Sequence, residues 1–206
     1  MKFILGTKQK MVQYFNEEGK ASPATLISAG PIVVTQLKDK EKDGYKAIQI
    51  GYLEKKKQNS KSKLGHLKNL GNFKHLREFI TENDEKLKLG DTIDVSAFEK
   101  VKTVVISGVS KGKGFQGGVK RHGFHGGPRS HGQKHSEREV GSIGDAGSQR
   151  VFKGKRMPGR MGSDRITVKN LVILDIDKEN NHLLVKGAVP GRLGTILEIR
   201  SLKIKL

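Results

Sequence analysis

Short apolar runs alternate with polar residues along the first fifty positions, and the same two-residue period returns along the last forty. At the start, residues 3–5, 11–15, 25–28, 32–37 and 45–53 read as β-strands. Turn chemistry separates them at 16–19, at Gly30-Pro31 and at Asp43-Gly44. At the end, residues 166–176, 182–189 and 195–204 read as three more, parted by 177–181 and by Pro190-Gly191 at hairpin-like spacing. From Asn72 the period lengthens: Phe73, Leu76 and Ile80 stand at i, i+3 and i+7 behind an Asn in N-cap position, which predicts a short amphipathic helix. Gly90-Asp91 then turns the chain into 92–95, and the β-branched run at 101–109 predicts a strong strand. The expectation is a mainly β fold with enough strands from both ends for a small closed barrel, carrying a small helical insertion over about 64–90.

Residues 108–162 resemble neither half. They hold more than half of the chain's 26 glycines, few aliphatic residues and no sustained period of 2 or 3.6. Such a stretch buries too little apolar surface to offset its conformational entropy, so alone in water it is expected to lack a stable shape. The organisation expected is therefore a globular part, 1–107 plus 163–206, and an extension, 108–162. As two legs of roughly 27 residues, that extension would reach at most about 90 Å, at about 3.3 Å per residue. Residues 55–63 are polar and Lys-rich, an exposed linker or a second edge for a polyanion.

Charge says what the extension is for. The chain has 206 residues and a net charge of +19, from 40 Lys and Arg against 21 Asp and Glu, with an apolar fraction of only 34%. A compact fold with that excess repels itself unless a polyanion neutralises it, and nucleic acid is the leading candidate. The cations of the extension are Lys111, Lys113, Lys120, Arg121, Arg129, Lys134, Arg138, Arg150, Lys153, Lys155, Arg156 and Arg160, with Arg165 just beyond it; Glu137, Glu139, Asp145 and Asp164 oppose them. Phosphate oxygens suit both kinds of cation, Arg as a bidentate fork and Lys as a point charge. Phe115, Phe124 and Phe152, with His122, His125, His131 and His135, offer ring faces on which unpaired bases can stack. Glycine adds slimness, because without Cβ one backbone can pass close to another.

Other chemistries fit poorly. No cysteine is present, which excludes thiolate nucleophiles and Cys-based zinc sites. Gly112-Lys113-Gly114-Phe115-Gln116-Gly117 has the G-x-G-x-x-G spacing, but the glycines and Pro128 that follow would prevent the helix a dinucleotide site requires. His122, His125, His131 and His135 sit in glycine-rich coil that cannot hold four imidazoles in tetrahedral register, so no metal or other cofactor is expected. Neither a nucleophile-elbow nor a zincin motif occurs, and an enzyme is not expected. No apolar run of about 18 residues, acylation motif or basic amphipathic helix points to a membrane. The short run before Gly6 is too brief for a secretory signal, which implies a cytoplasmic protein.

Several separated motifs, in order, resemble one family, the bacterial form of large-subunit ribosomal protein three. They are Ser110-Lys111-Gly112-Lys113-Gly114-Phe115-Gln116-Gly117 with Lys120-Arg121-His122, then Gly141-Ser142-Ile143-Gly144, then residues 151–162, and Leu184-Val185-Lys186-Gly187-Ala188-Val189-Pro190-Gly191. The resemblance covers essentially the whole chain. It implies a six-stranded barrel of the translation-protein type with a small helical insertion and a long irregular central extension. It further implies binding to large-subunit ribosomal RNA near its 3′ end, a role early in assembly, and neighbouring large-subunit ribosomal proteins as partners, with no homo-oligomer. The extension's tip would be Gly141, Ser142, Ile143, Gly144, Asp145, Gln149, Arg150 and Phe152, close to the peptidyl transferase centre. Two positions depart from the family: Val105 stands where an acidic residue is often found, and Asp145 where many proteobacterial relatives carry a methylated glutamine.

Overall fold

The computed structural model describes residues 2–67, 70–81 and 87–201. In chain order the elements are β1 (Phe3–Phe15), β2 (Ala21–Ala29), β3 (Ile32–Lys38), α1 (Lys40–Asp43), β4 (Ala47–Glu54), α2 (Lys61–Leu67), β5 (Phe73–Ile80), β6 (Thr92–Ile93) and β7 (Thr103–Val109). There follow β8 (Gly114–Gln116), α3 (Gly118–His122), β9 (Gly159–Met161), β10 (Arg165–Asp177), β11 (His182–Lys186) and β12 (Ile196–Ser201). By contacts the chain divides into two units: Met1–Val109 with Arg165–Leu206, and Ser110–Asp164.

In the first unit six strands close a barrel in the order β1-β12-β7-β10-β11-β2, every neighbour antiparallel. The fold is mainly β, as the two-residue period implies, and the barrel is assembled from both ends of the chain. Closure leaves these strands no free edge within the barrel. The inward positions supply Ile4, Ile27, Val104, Ile106, Leu183, Val185, Leu197 and Ile199, all buried, and Leu5 on the opposite face of β1 is buried too. Each such side chain contributes about 1.5–3 kcal/mol of transfer free energy. A second sheet, β5-β4-β3-β6, shares that core through Ile32, Val34, Ile48, Ile50, Tyr52 and Phe79. Tyr52 ties the two sheets polar-to-polar: its hydroxyl donates to the Ser28 carbonyl at 2.9 Å, and burial pushes its pKa up.

The expected helix behind Asn72 is instead a strand. Phe73–Ile80 pairs antiparallel with β4, from Ala47↔Ile80 to Glu54↔Phe73. The reason lies outside the segment: Ala47–Tyr52 is buried throughout, and its outer row of backbone N–H and C=O groups needs a partner. Phe79 stacks on Phe3 with ring centroids 4.7 Å apart and an interplanar angle of 12°. Phe73 lies over Gly51, where a Cβ would come within 2.4 Å of its ring. Asn72 caps nothing; its amide donates to the carbonyls of Lys55 and Lys57 and fastens the Lys-rich segment to the sheet. The helix that does form nearby is α2, whose His66 meets the Gln49 side chain at 2.8 Å. Of the expected insertion, 68–69 and 82–86 lie outside the described residues, as do 202–204 of the last expected strand.

Candidate nucleic-acid interface

Residues 110–164 contain no buried apolar side chain; Gly118 is their one buried residue. Short regular elements nevertheless occur, β8, β9 and α3, the last opening directly after Gly117, where the glycines were expected to prevent a helix. Backbone contacts hold the two ends together. The Ser110 amide donates to the Asp164 carbonyl at 2.9 Å and the Lys113 amide to the Met161 carbonyl at 2.9 Å, leading into the β8–β9 pair. Glycine makes this approach possible: at Gly162, with φ +79°, a Cβ would stand 2.2 Å from the Lys111 carbonyl oxygen. At Gly126, φ +74°, it would stand 1.9 Å from that of Glu137.

α3 opens after Gly117 and closes at Gly123, whose left-handed φ of 74° lets its amide turn back to the Gly118 and Val119 carbonyls. Its last turn carries Lys120, Arg121 and His122, where cations face the negative end of the helix dipole. Arg121 and His122 are half-buried and both donate to the Met157 carbonyl, Arg121 through Nη1 at 2.5 Å and His122 through Nε2 at 3.0 Å. They thus brace the second leg against the first while keeping other N–H groups free to serve a ligand. Nothing in the sequence signals Met157, because the part it plays is that of a backbone oxygen. The His122 and Phe124 rings lie 5.7 Å apart beside a cavity of about 570 Å³ whose walls include Glu139, Val140 and Arg156.

The other sequence-predicted cations stand in solvent. Lys111, Lys113, Lys120, Arg129, Lys134, Arg138, Arg150, Lys153, Lys155, Arg156 and Arg160 are exposed, as are His125, His131 and His135. Among the described residues of 110–164 one ion pair forms, Arg129 to Glu137 at 2.5 Å. Twelve Lys and Arg therefore face four carboxylates, three of which pair with no cation. One exposed ring, that of Phe152, sits beside a guanidinium group, and a second, Phe115, has an Arg as its partner in strand register. Phe115, 76% exposed, is the register partner of Arg160, and the Arg150 guanidinium lies 5.0 Å from the centre of the Phe152 ring. A ring next to a guanidinium offers a base a stacking face and its phosphate a counter-charge together. Of the residues expected at the tip, Gly141, Ser142, Ile143 and Gly144 are exposed, and the Ser142 hydroxyl donates to the Gly144 carbonyl at 2.9 Å. Asp145 accepts from the Ala146 amide at 2.8 Å and starts a short 3-10 turn that ends at Gln149, φ 47°.

Arg165 belongs to the barrel and is already engaged. It pairs with Glu198, a carboxylate that Arg77 and Arg200 also approach, at 3.4 and 3.7 Å. Among the described residues no cluster of three potential metal ligands occurs, and no helix is long and apolar enough to cross a membrane.

The family model described as ribosomal protein L3 matches residues 7–183 of this chain. Large ribosomal subunit protein uL3 of Finegoldia magna is 50% identical over 205 residues, covering 97% of either chain. The uL3c protein of Guillardia theta is 47% identical over 201 residues, covering 96% of this chain and 98% of its own. The uL3 protein of Corynebacterium jeikeium is 46% identical over 206 residues, covering 98% and 94%.

Proposed function

Because this chain belongs to the ribosomal protein L3 family, and is thus a structural constituent of the ribosome rather than an enzyme, we propose that it binds large-subunit ribosomal RNA chiefly through its extension. Its place is the ribosome, which in a bacterial cell lies in the cytoplasm. The globular part, 1–107 plus 163–206, seats on RNA near the 3′ end and nucleates assembly, while 108–162 threads between RNA helices. The tip, from Gly141 to Phe152, supports RNA beside the peptidyl transferase centre; the RNA itself does the chemistry. What carries this reading is the unneutralised charge of 110–164, set on a backbone with no apolar core of its own. Such an arm is held by its surroundings, and phosphate is the surrounding its cations ask for.

The test is the salt dependence of binding. The logarithm of affinity of the full chain for a large-subunit RNA fragment is expected to fall linearly with the logarithm of salt concentration. Lys155→Ala with Arg156→Ala should lower that slope by about 1 to 2, one for each phosphate no longer neutralised. An unchanged slope would place both residues off the RNA.

A further inference from the structure

β1 and β2 run on past the barrel. Only Phe3–Thr7 of β1 pairs with β12, and only Ala24–Ser28 of β2 pairs with β11. Beyond Ala24, whose other edge still pairs with Lys186, Gln13 to Phe15 and Ala21 to Pro23 are in register with each other alone, in a ribbon closed by the turn in which the Gly19 amide donates to the Asn16 carbonyl at 2.9 Å. Strand alternation puts Met11, Gln13 and Phe15 on one face, and the register sets Pro23 opposite Gln13 and Ala21 opposite Phe15. Apart from Gln13, and Thr25 buried opposite Met11, that face is apolar, and its outer part is uncovered: Met11 is 52% and Phe15 61% exposed. A groove of about 370 Å³ opens beside Met11, Gln13, Ala21 and Pro23, with Val12 and Ser22 also in its walls. A two-stranded ribbon is marginal by itself in water, and a contiguous apolar patch on its face marks a contact surface.

Charge decides what kind of partner fits. In a chain of net charge +19, the ribbon's turn carries Glu17 and Glu18, and its one cation, Lys20, is paired with Glu18 at 2.9 Å. At the foot of the ribbon Lys8 points inward, donating to the Val189 and Gly191 carbonyls at 2.8 and 3.0 Å; Lys10 stands exposed there, short of the apolar face. A phosphate backbone would meet two carboxylates at the tip and has no apolar side chains to fill the groove. A protein segment with Lys or Arg beside aliphatic side chains satisfies both. We propose that this face docks a basic, apolar-bearing segment of another protein of the same particle, a proposal that takes residence in the large subunit from the reading above.

A benzophenone side chain placed at position 15 of the full chain, in purified large subunits, tests it. Irradiation should give an adduct to a protein peptide containing aliphatic residues flanked by Lys or Arg. Glu17→Lys with Glu18→Lys should cut its yield about tenfold, the loss expected when a rim charge is reversed against a cationic partner. Adducts to RNA, to an acidic peptide or to a second copy of this chain overturn the proposal, as does no adduct. Wild-type subunits give a reading without any variant. Met11 should oxidise under hydroxyl radicals at least about fivefold more slowly in the subunit than in the free chain, since burying it excludes the oxidant; equal rates overturn the proposal. If the wild-type chain fails to sediment with the subunit at all, the ribosomal reading fails, a result kept distinct from the others.

Discussion

Single glycines do in the extension what large side chains do in the barrel. At Gly126 the backbone of one leg passes so close to Glu137 that the Gly127 amide donates to the Glu137 carbonyl at 3.1 Å. Gly126→Ala would set a methyl group 1.9 Å from that carbonyl oxygen and strain a positive φ. The cost is about 1–3 kcal/mol from overpacking, added to about 1–2 kcal/mol from the left-handed backbone. Hydrogen exchange at the Gly127 amide is the measurement, and its protection should disappear. Gly44 has a similar φ, +81°, but nothing within 4 Å of its would-be Cβ, so Gly44→Ala should show the backbone cost alone. Much of this was open to reading from the residues: so dense a run of glycine among cations announces close backbone passage. Which glycine meets which carbonyl was not, because that depends on a register between segments with no periodic pattern of their own.

β5 shows where an element escapes its own sequence. Phe73, Leu76 and Ile80 keep a helical spacing, yet the buried strand β4 beside them has backbone groups to satisfy, and tertiary pairing prevails over a weak local preference. The barrel strands were legible because alternation there coincides with burial on one face. β5 was not, since its most buried side chain, Phe79, lies off the helical stripe. The pairing is reinforced at its end by Glu78. Its carboxylate accepts from Tyr45 at 2.8 Å and from Gln49 at 3.2 Å, and it pairs with Lys38 at 2.9 Å. The hydrogen bond from Lys38 is the main reason its pKa is lowered, and hydrogen bonds to Tyr45 and Glu78 raise that of Lys38. A lowered carboxylate pKa stabilises the fold above the unfolded value, about 4.3, and ceases to as pH falls through the folded value. A raised lysine pKa stabilises fully below about 10.4 and ceases to as pH rises through the folded value. Glu78→Gln should thus unfold at lower urea than the wild type at pH 7, with the gap closing as the pH drops below about 4.

The whole molecule joins two ways of being stable in one chain. The first unit has a continuous apolar core; residues 110–164 have none and rely on backbone bonds, a few side-chain-to-carbonyl bonds and close packing at glycine. Local opening is cheapest where few apolar contacts must break. Limited trypsin treatment of the free protein should therefore cut first among the exposed cations between Lys111 and Arg160, leave the barrel intact, and cut far more slowly once large-subunit RNA is added; resistance along the whole chain would count against this. The strand order of the barrel includes no element from between β7 and β10. Val109 and Arg165 are register partners, so the chain leaves and re-enters the first unit at adjacent points, much as a hairpin loop does. Closure entropy grows only with the logarithm of loop length. The extension is thus a graft on a β-hairpin: it can be lengthened, shortened or reworded over evolutionary time while the host architecture stays as it was, and a two-residue Asn-Gly turn in its stead should still yield a folded barrel.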